Sequence, residues 1–192
     1  MAKKEENIII VCAHSDDQIF GVGGTIARYA KEGKNVYTII FSYGESTHPW
    51  LKRKVTVEMR VKESIEADKV IGGKGVSFLG FKEGKFLKEG KEKKIGEKLI
   101  NILMDKKPIK LFTHSANDPH PDHKAVNKTI LSALKKSGLN VEVYTFDVWT
   151  PVKIKNRNRP KLIVDITKTF STKLRALKCF ESQWMTMITL LW

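Results

Sequence analysis

Residues 7–18 read NIIIVCAHSDDQ, an uninterrupted apolar run that passes directly into a cluster of polar residues. The run from Asn7 to Cys12 is rich in β-branched residues, which is typical of a strand covered on both faces of a parallel sheet. A second run of this kind spans Val36 to Phe41, and a stretch with helical periodicity, residues 23–32, separates the two. A strand, a helix and a second strand in this order predict the start of an α/β domain.

The rest of the chain continues the alternation of strands and helices. Further strands are predicted over residues 76–79, 111–113, 141–146 and 162–164, and further helices over residues 55–71, 95–104, 124–136 and 168–180. This order predicts a three-layer α/β sandwich, in which a Rossmann-like, largely parallel sheet carries helices on both faces. The 192 residues contain no internal repeat and no break in composition, so we expect a single domain over residues 1–192.

Composition excludes several classes of protein. With 41% hydrophobic and 29% charged residues, the chain is too apolar to be disordered. Cys12 and Cys179 are too few for a disulfide scaffold and are expected to be buried thiols. No apolar run reaches the roughly 18 residues of a membrane span, and the first residues lack the apolar stretch of a signal peptide. The sequence therefore predicts a cytoplasmic protein.

The charge balance is strongly basic, with 35 lysines and arginines against 21 acidic residues. Only six of the cations are arginines, which make the commonest bidentate contacts to bases and phosphates, so the excess is weak evidence for nucleic-acid binding. A basic nucleic-acid-binding protein with a vestigial metal site remains an alternative. Abundant lysine and glutamate with only two glutamines also fits a thermophilic source. The apolar residues 184–192 are expected either to dock on their own chain or to form a homo-oligomer contact.

Ionisable residues follow the first predicted strand and the strand predicted over residues 111–113. His14, Asp16 and Asp17 come directly after the first, and the run HSANDPHPDH occupies residues 114–123. Ligands of open α/β sheets bind outside the carboxyl ends of the strands, so we expect these loops to meet there. Two imidazoles and one carboxylate are typical of catalytic zinc sites that keep one position open for water. Either loop alone could be a helix cap or solvated polar residues, but their joint occurrence favours a metal site.

The glycine-rich run GVGGT, residues 21–25, is a weak match to a phosphate-binding loop. Ile26 occupies the place of the last glycine in that pattern, and the acidic loop ahead of it would repel a pyrophosphate. We expect these glycines to let the chain turn tightly into the first helix and pack close to a strand. The sequence also contains no G-x-S-x-G motif of a serine hydrolase.

Two segments together resemble the signatures of the PIG-L/LmbE-like family of zinc-dependent N-deacetylases. They are AHSDDQIFGVGGTIA, residues 13–27, and NDPHPDH, residues 117–123. That family opens with Ala-His-Pro-Asp-Asp-Glu, continues into a Gly-Gly-Thr helix start and later carries His-Pro-Asp-His. The likeness extends in order over nearly the whole chain, through RVKESIEADKVIG at residues 60–72, VSFLGFKEG at residues 76–84 and VDITKTFSTKLRALKCFESQ at residues 164–183.

The resemblance implies a zinc ion held by His14, Asp17 and His123, with Asp16 as the general base that takes a proton from the activated water. Iron, cobalt and manganese accept the same ligand types. The activity implied is hydrolysis of an N-acetyl amide on an N-acetylglucosamine-type substrate. A small N-acetylated sugar or its conjugate would then be the binding partner, and an amidase acting on a larger glycoside conjugate is the alternative within the same class.

The remaining residues that the resemblance assigns lie around this metal. Protonated His120 would stabilise the oxyanion of the tetrahedral intermediate, and Asp122 would orient it. Arg60 resembles the family's substrate-contacting arginine. Glu83 stands where the family often has aspartate, so a substrate contact there would reach about one methylene further.

Some positions depart from the family pattern or stand outside it. Ser15 replaces the family proline, and Gln18 replaces a glutamate that is not a metal ligand. Metal binding should therefore persist, while the influence of this position on the metal and on activity should change. His114 is expected to be a supporting group rather than a ligand. His48 is expected to be exposed, with the border of the pocket as the alternative.

Overall fold

The computed structural model describes residues 5–48, 50–92, 94–148, 160–184 and 188. In this part of the chain one five-stranded sheet has the order β3-β2-β1-β4-β5, and every neighbouring pair is parallel. The strands are β1 Asn7–Cys12, β2 Asn35–Ser42, β3 Val76–Phe81, β4 Lys110–His114 and β5 Glu142–Phe146. The predicted Rossmann-like parallel sheet is confirmed.

Helices cover both faces of the sheet. They are α1 Asp17–Lys31, α2 Arg53–Ile71, α3 Phe86–Glu92, α4 Ile95–Lys106, α5 Pro121–Ser137 and α6 Phe170–Leu177, with short 3-10 helices at Glu45–Thr47, Thr167–Thr169 and Glu181–Gln183. Alternate residues of β1 enter different cores: Ile8 and Ile10 pack towards α1, α2 and α6, whereas Ile9 and Val11 pack towards α3, α4 and α5. The continuous apolar run of β1 follows from this burial on both faces.

Two elements differ from their prediction. Residues 162–164 form no strand, and Ile163 is 88% exposed, so the segment lacks the burial of a core strand. The residues that follow it contact α1: the carbonyl of Asp165 accepts a hydrogen bond from Arg28, and Ile166 packs on Gly24. Helix α1 begins at Asp17, six residues before the predicted start, so the glycines lie inside a helix rather than in a turn. They do allow close packing, because a Cβ on Gly21 would lie 2.3 Å from the ring of Phe146 in β5.

Two smaller expectations are settled by burial. Cys12 is buried in the core as expected, whereas Cys179 is only half-buried.

The lysine- and glutamate-rich stretch after β3 holds two helices, α3 and α4. No helix among the described residues combines the length and the apolar character needed to cross a membrane. The final apolar residues lie mostly outside the described part of the chain, where only Trp184 and Ile188 are described, and both are exposed.

The sheet has a switch point at β1, which positions the site. From β1 the chain continues to β2 on one side, while β4 pairs with β1 on the other. The loops after β1 and β4 therefore leave the same edge of the sheet next to each other. In open α/β sheets this crevice is where ligands bind.

Near the end of α2, Asp68 is a buried acidic residue with little compensation. It is 4% exposed, and one of its carboxylate oxygens has no hydrogen-bond partner among the described residues. Burial raises the pKa of Asp68 to about 6, although a hydrogen bond from the backbone of Gly75 opposes the shift. The ionised carboxylate therefore destabilises the folded state relative to the protonated form.

Asp68→Asn is expected to stabilise the fold in a pH-dependent manner. An unfolded aspartate has a pKa of about 3.9. The native carboxyl binds its proton more tightly, so its stabilising contribution is complete below about pH 4 and is lost as pH rises through about 6. At pH 7.5 the variant should unfold with a free energy about 3 kcal/mol higher than the parent, and near pH 4 most of this difference should disappear. Urea denaturation at both pH values measures this.

The matched control is Asp105→Asn, because the side chain of Asp105 is 71% exposed. This variant should change the free energy of unfolding little at either pH. A gain in stability for Asp68→Asn that is equal at pH 4 and 7.5 would contradict the assignment of the effect to a buried charge.

Candidate metal centre and active-site cleft

Local structure carries the site residues to one edge of the sheet. Asp17 is the first residue of α1, directly after the loop that follows β1. His114 is the last residue of β4, and His123 lies in the first turn of α5, where Pro121 is favoured because it needs no backbone donor. Since β1 and β4 are paired, these side chains converge.

His14, Asp17 and His123 have the spacing of a metal site. The Oδ2 atom of Asp17 lies 3.4 Å from His14 Nδ1 and 3.4 Å from His123 Nε2. Ligand atoms bound tetrahedrally at zinc distances of about 2.0–2.2 Å are themselves about 3.4 Å apart. His123 Nε2 is buried and has no hydrogen-bond partner among the described residues. A divalent cation would satisfy that atom and the buried carboxylate together, so the three residues fit the implied metal.

Each histidine of this cluster turns its other ring nitrogen to a second carboxylate. His14 Nε2 lies 3.4 Å from Asp122 Oδ2, and His123 Nδ1 lies 3.0 Å from Asp118 Oδ1. Metal-binding histidines commonly donate their outer N–H to a carboxylate, which fixes the ring and its tautomer. Two overlapping clusters, His14–His120–Asp122 and His114–Asp118–His123, also bring ligand atoms within 4.8 Å. A metal bound in either of these two clusters would displace an outer N–H proton of His14 or His123. The His14–Asp17–His123 cluster leaves both of these protons in place and is therefore favoured.

The two outer carboxylates are themselves held by backbone groups. Both oxygens of Asp122 accept the N–H of Gly84, at 3.1 and 2.9 Å. Asp118 accepts the N–H of His120 at 2.9 Å on one oxygen and the N–H of Val148 at 3.1 Å on the other. The loop after β3 and the chain after β5 therefore help to fix the histidines.

His120 presents a ring nitrogen to the cleft without needing a second proton. Its Nδ1 accepts the backbone N–H of Asp122 at 3.2 Å. Burial and the nearby rings of His14 and His123 lower the pKa of His120, so the ring is neutral with its proton on Nε2. The backbone of Asp122 thus orients His120, while its carboxylate faces His14; the resemblance had implied that Asp122 orients His120.

Asp16 is a buried carboxylate paired with a buried guanidinium. Its Oδ2 lies 3.2 Å from Nη2 of Arg60, which is 1% exposed and also donates through Nε to the carbonyl of Tyr43 at 3.4 Å. Gly44, at φ +72°, passes so close that a Cβ would lie 2.7 Å from Nη2. Arg60 lines the cleft as expected, and its contacts also hold Asp16 in position.

A cleft of about 170 Å³ opens over these groups. Its walls come from the chain that follows each of the five strands, from α1 and α2, and from Gln183. The lining residues are His14, Asp16, Asp17, Phe20, Gly44, Thr47, Arg60, Glu83, His120, Val148 and Gln183. The structure therefore brings together the residues singled out from the sequence, although Asp122 and His123 lie behind this lining.

Three other polar residues take supporting positions. His114 is fully buried, and its Nε2 accepts the N–H of Ala13 at 3.0 Å, so this lone pair is already used. Gln18 is fully buried and donates to the Ser15 carbonyl and to Ser64 Oγ, both at 3.1 Å, which a carboxylate could not do. His48 is half-buried beside Trp50 and is not among the residues that line the cleft, so its expected exposure is wrong.

Sequence reasoning assigned no role to Asp118, Thr47 or Gln183. Asp118 is in the quoted run of residues 114–123, and its position next to the metal-binding motif was the available signal. Gln183 reaches the cleft because Glu63 of α2 accepts the N–H of Ser182 at 2.8 Å and its hydroxyl at 2.6 Å. Such a contact across 119 residues has no signal in a single sequence.

The charges of the cluster perturb its pKa values. Burial disfavours protonated His14, but hydrogen bonds with Asp122 and Asp17 outweigh it and raise the pKa of His14 to about 10. Burial likewise opposes the charged form of His123, while Asp17 and Asp118 raise its pKa to about 9. For Asp17, burial is opposed by His123 and His114, which together hold the pKa well below its usual range. Without a cation, two protons therefore balance the buried carboxylates.

The fold and the site define a class of protein, and comparison with known proteins identifies it. The chain belongs to the PIG-L family, whose model, described as GlcNAc-PI de-N-acetylase, matches residues 9–134. The family suggested by the sequence motifs is thereby confirmed.

Individual relatives share the fold but carry different names. A probable N-acetyl-α-D-glucosaminyl L-malate deacetylase 2 of Bacillus cereus is 25% identical over 96% of this chain and 86% of its own length. A 4-oxalmesaconate hydratase of Pseudomonas putida is 26% identical over 95% of this chain and 76% of its own. The solved structure of N,N'-diacetylchitobiose deacetylase from Pyrococcus horikoshii superposes with a TM-score of 0.73 at 22% identity, covering 94% and 72% of the two chains. The last comparison supports the fold.

Metal binding at the His14–Asp17–His123 cluster is expected to depend steeply on pH. A cation must displace the protons of two histidines whose pKa values are about 10 and 9, so affinity should rise with pH until both are free of protons. Between pH 6 and 8 the association constant for Zn²⁺ should rise about 100-fold per pH unit, with close to two protons released. Calorimetry in buffers of different ionisation enthalpy counts these protons. Release of no proton would contradict this ligand set.

Proposed function

We propose that this protein is a metal-dependent hydrolase that removes the acetyl group from an N-acetylated amino sugar of the N-acetylglucosamine type. One observation carries the proposal: Asp17 Oδ2 lies 3.4 Å from both His14 Nδ1 and His123 Nε2, and Asp16 and His120 line the same cleft. A metal site with a carboxylate and an imidazole donor beside it supplies the groups needed to hydrolyse an unactivated amide.

The metal would be held by His14, Asp17 and His123, with Zn²⁺ as the expected ion. When bound, such a cation would polarise a carbonyl and lower the pKa of a water to about 7. The outer carboxylates Asp118 and Asp122 contact the other ring nitrogens of His123 and His14 and would keep these imidazoles oriented for metal binding.

Asp16 would act as the general base. Its carboxylate accepts a proton from the attacking water and later delivers it to the leaving amine nitrogen, a contribution of about 10²–10⁴-fold. The contact of Arg60 with Oδ2 of Asp16, at 3.2 Å, would hold the carboxylate in position at the cleft that Asp16 lines.

His120 would stabilise the charge that develops on the acetyl oxygen. His120 lines the cleft, and because its Nδ1 accepts the N–H of Asp122, the donor it would offer is Nε2–H. A single well-placed donor of this kind is worth about 3–4 kcal/mol of transition-state stabilisation. The neutral ring already carries the required proton, so the role does not depend on an imidazolium.

Cleft polarity supports a sugar amide over a polycarboxylate as the substrate. Among the described lining residues Arg60 is the sole permanently cationic side chain, and Asp16 neutralises it, while Glu83 adds a negative charge. The name of the P. putida relative is that of a hydratase acting on 4-oxalmesaconate, a polycarboxylate, which would require free cationic partners. The B. cereus and P. horikoshii names indicate N-acetylated sugars, which match a polar, acidic cleft. An amidase on a larger conjugate is the nearest alternative.

The direct test is primary-amine release from N-acetylglucosamine and from its β-1,4-linked disaccharide, with added Zn²⁺ and with a chelator. We expect release from at least one substrate, loss of that release with the chelator, and recovery on addition of metal. A parallel assay for loss of the ultraviolet absorbance of an unsaturated dicarboxylate tests water addition. Turnover there, with no amine release, would replace the deacetylase proposal by a hydratase.

Two variants separate the proposed roles. Asp16→Asn keeps the shape that contacts Arg60 but loses the base, so kcat should fall at least 100-fold while one metal remains bound. His123→Ala removes a ligand and should lower metal affinity by orders of magnitude, with activity falling in parallel. Activity assays combined with metal analysis after gel filtration check both. Near-normal turnover in Asp16→Asn would exclude its role as base.

A further inference from the structure

An exposed apolar patch lies between the 3-10 helix Glu45–Thr47 and helix α2. Trp50 is 75% exposed, Leu51 38% and Val55 48%, and we call these three residues the rim patch. An exposed tryptophan offers a flat apolar face to a ligand, and adjoining exposed apolar residues enlarge that surface. The mechanism proposed above makes no use of it.

Chain connectivity places the rim patch beside the cleft. Thr47 lines the cleft, and Arg53, at the start of α2, returns to the same 3-10 helix through hydrogen bonds of 3.2 and 2.9 Å to Glu45. A further bond, from the N–H of Leu51 to the carbonyl of His48, closes the segment into a turn. Three residues span at most about 10 Å, so Trp50 stands within that distance of Thr47.

The indole of Trp50 is supported on one side and open on the other. The ring of His48 packs against it edge-on, with centroids 5.1 Å apart and an interplanar angle of 65°. The two ring nitrogens of His48 are buried without a hydrogen-bond partner among the described residues, so the imidazole is sequestered under the turn. A supported aromatic ring with a free face loses little conformational entropy when a ligand covers it.

The cleft is small relative to a whole glycoside. Its volume of about 170 Å³ is below the roughly 300–1,000 Å³ of pockets that enclose most of a drug-sized ligand. A disaccharide bound with its reacting acetamide in the cleft would therefore extend its second ring across the rim. The apolar C–H face of a second pyranose matches an open indole.

We propose that Trp50 is a stacking platform for a second sugar ring, which makes the preferred substrate a disaccharide or similar ring-bearing glycoside rather than the free monosaccharide. The inference rests on the proposed function for its choice of ligand. It adds a binding subsite on the rim, formed by Trp50 with Leu51 and Val55 beside it, to the polar cleft that holds the reacting amide.

The kinetic test compares N-acetylglucosamine with N,N'-diacetylchitobiose in the parent, Trp50→Ala and Trp50→Phe. For Trp50→Ala we expect KM for the disaccharide to rise about tenfold with kcat little changed, and KM for the monosaccharide to stay constant. Trp50→Phe retains a flat ring and should recover most of the affinity. Equal changes in KM for both sugars, or none, would overturn the proposal.

Trp184→Ala is the matched control, because Trp184 is also an exposed tryptophan, at 56%, and directly follows the cleft residue Gln183. It should leave both KM values unchanged. A loss of disaccharide affinity in this variant, and not in Trp50→Ala, would assign the stacking contact to Trp184 and contradict its assignment to Trp50.

A binding measurement keeps this inference separate from the proposed function. In the metal-loaded Asp16→Asn protein, calorimetric titration with N,N'-diacetylchitobiose should show binding that weakens about tenfold when Trp50→Ala is added. Such binding without amine release by the parent protein would refute the deacetylase and preserve the platform. Amine release with no dependence of disaccharide affinity on Trp50 would refute the platform alone.

Discussion

The buried carboxylate of Asp17 is the group on which the rest of the site depends. Its Oδ2 accepts the N–H of His14 at 2.8 Å and lies 3.2–3.4 Å from ring nitrogens of His14, His114 and His123. Burying an ionised carboxylate is very costly unless positive charge accompanies it. Either protonated histidines or a cation must therefore lie next to Asp17. The same side chains thus form the metal site and set the local electrostatics.

The scaffold is built to bring α1 and α5 close enough for that arrangement. Helix α1 begins at Asp17 itself, and its glycines let it pack against Phe146 at the end of β5 and against Ile166 beyond the sheet. At the start of α5, the backbone N–H of Asp122 donates a hydrogen bond of 3.2 Å to Nδ1 of His120. A side chain at Gly21 would push the helix away from the strand ends, and the ligand atoms would separate with it.

Charge is distributed differently at the cleft and over the whole chain. The net formal charge is +14, yet three carboxylates and a single guanidinium line the cleft among its described residues. Long-range attraction for anions is thus a property of the molecule's surface, whereas the reaction site favours a cation and a neutral, polar substrate. This contrast argues against using the overall basicity to choose the ligand.

The parallel sheet and the place of the site at its strand ends could be predicted from the sequence. Apolar runs such as residues 7–12 are satisfied by burial on both faces, and charged groups directly after them lie at the strand ends. Other features follow from tertiary contacts that local patterns do not encode. The apolar residues 162–164 form no strand, Asp122 turns its carboxylate to His14, and Gln183 reaches the cleft through Glu63. Each depends on contacts between residues far apart in the chain, whose geometry is set by packing.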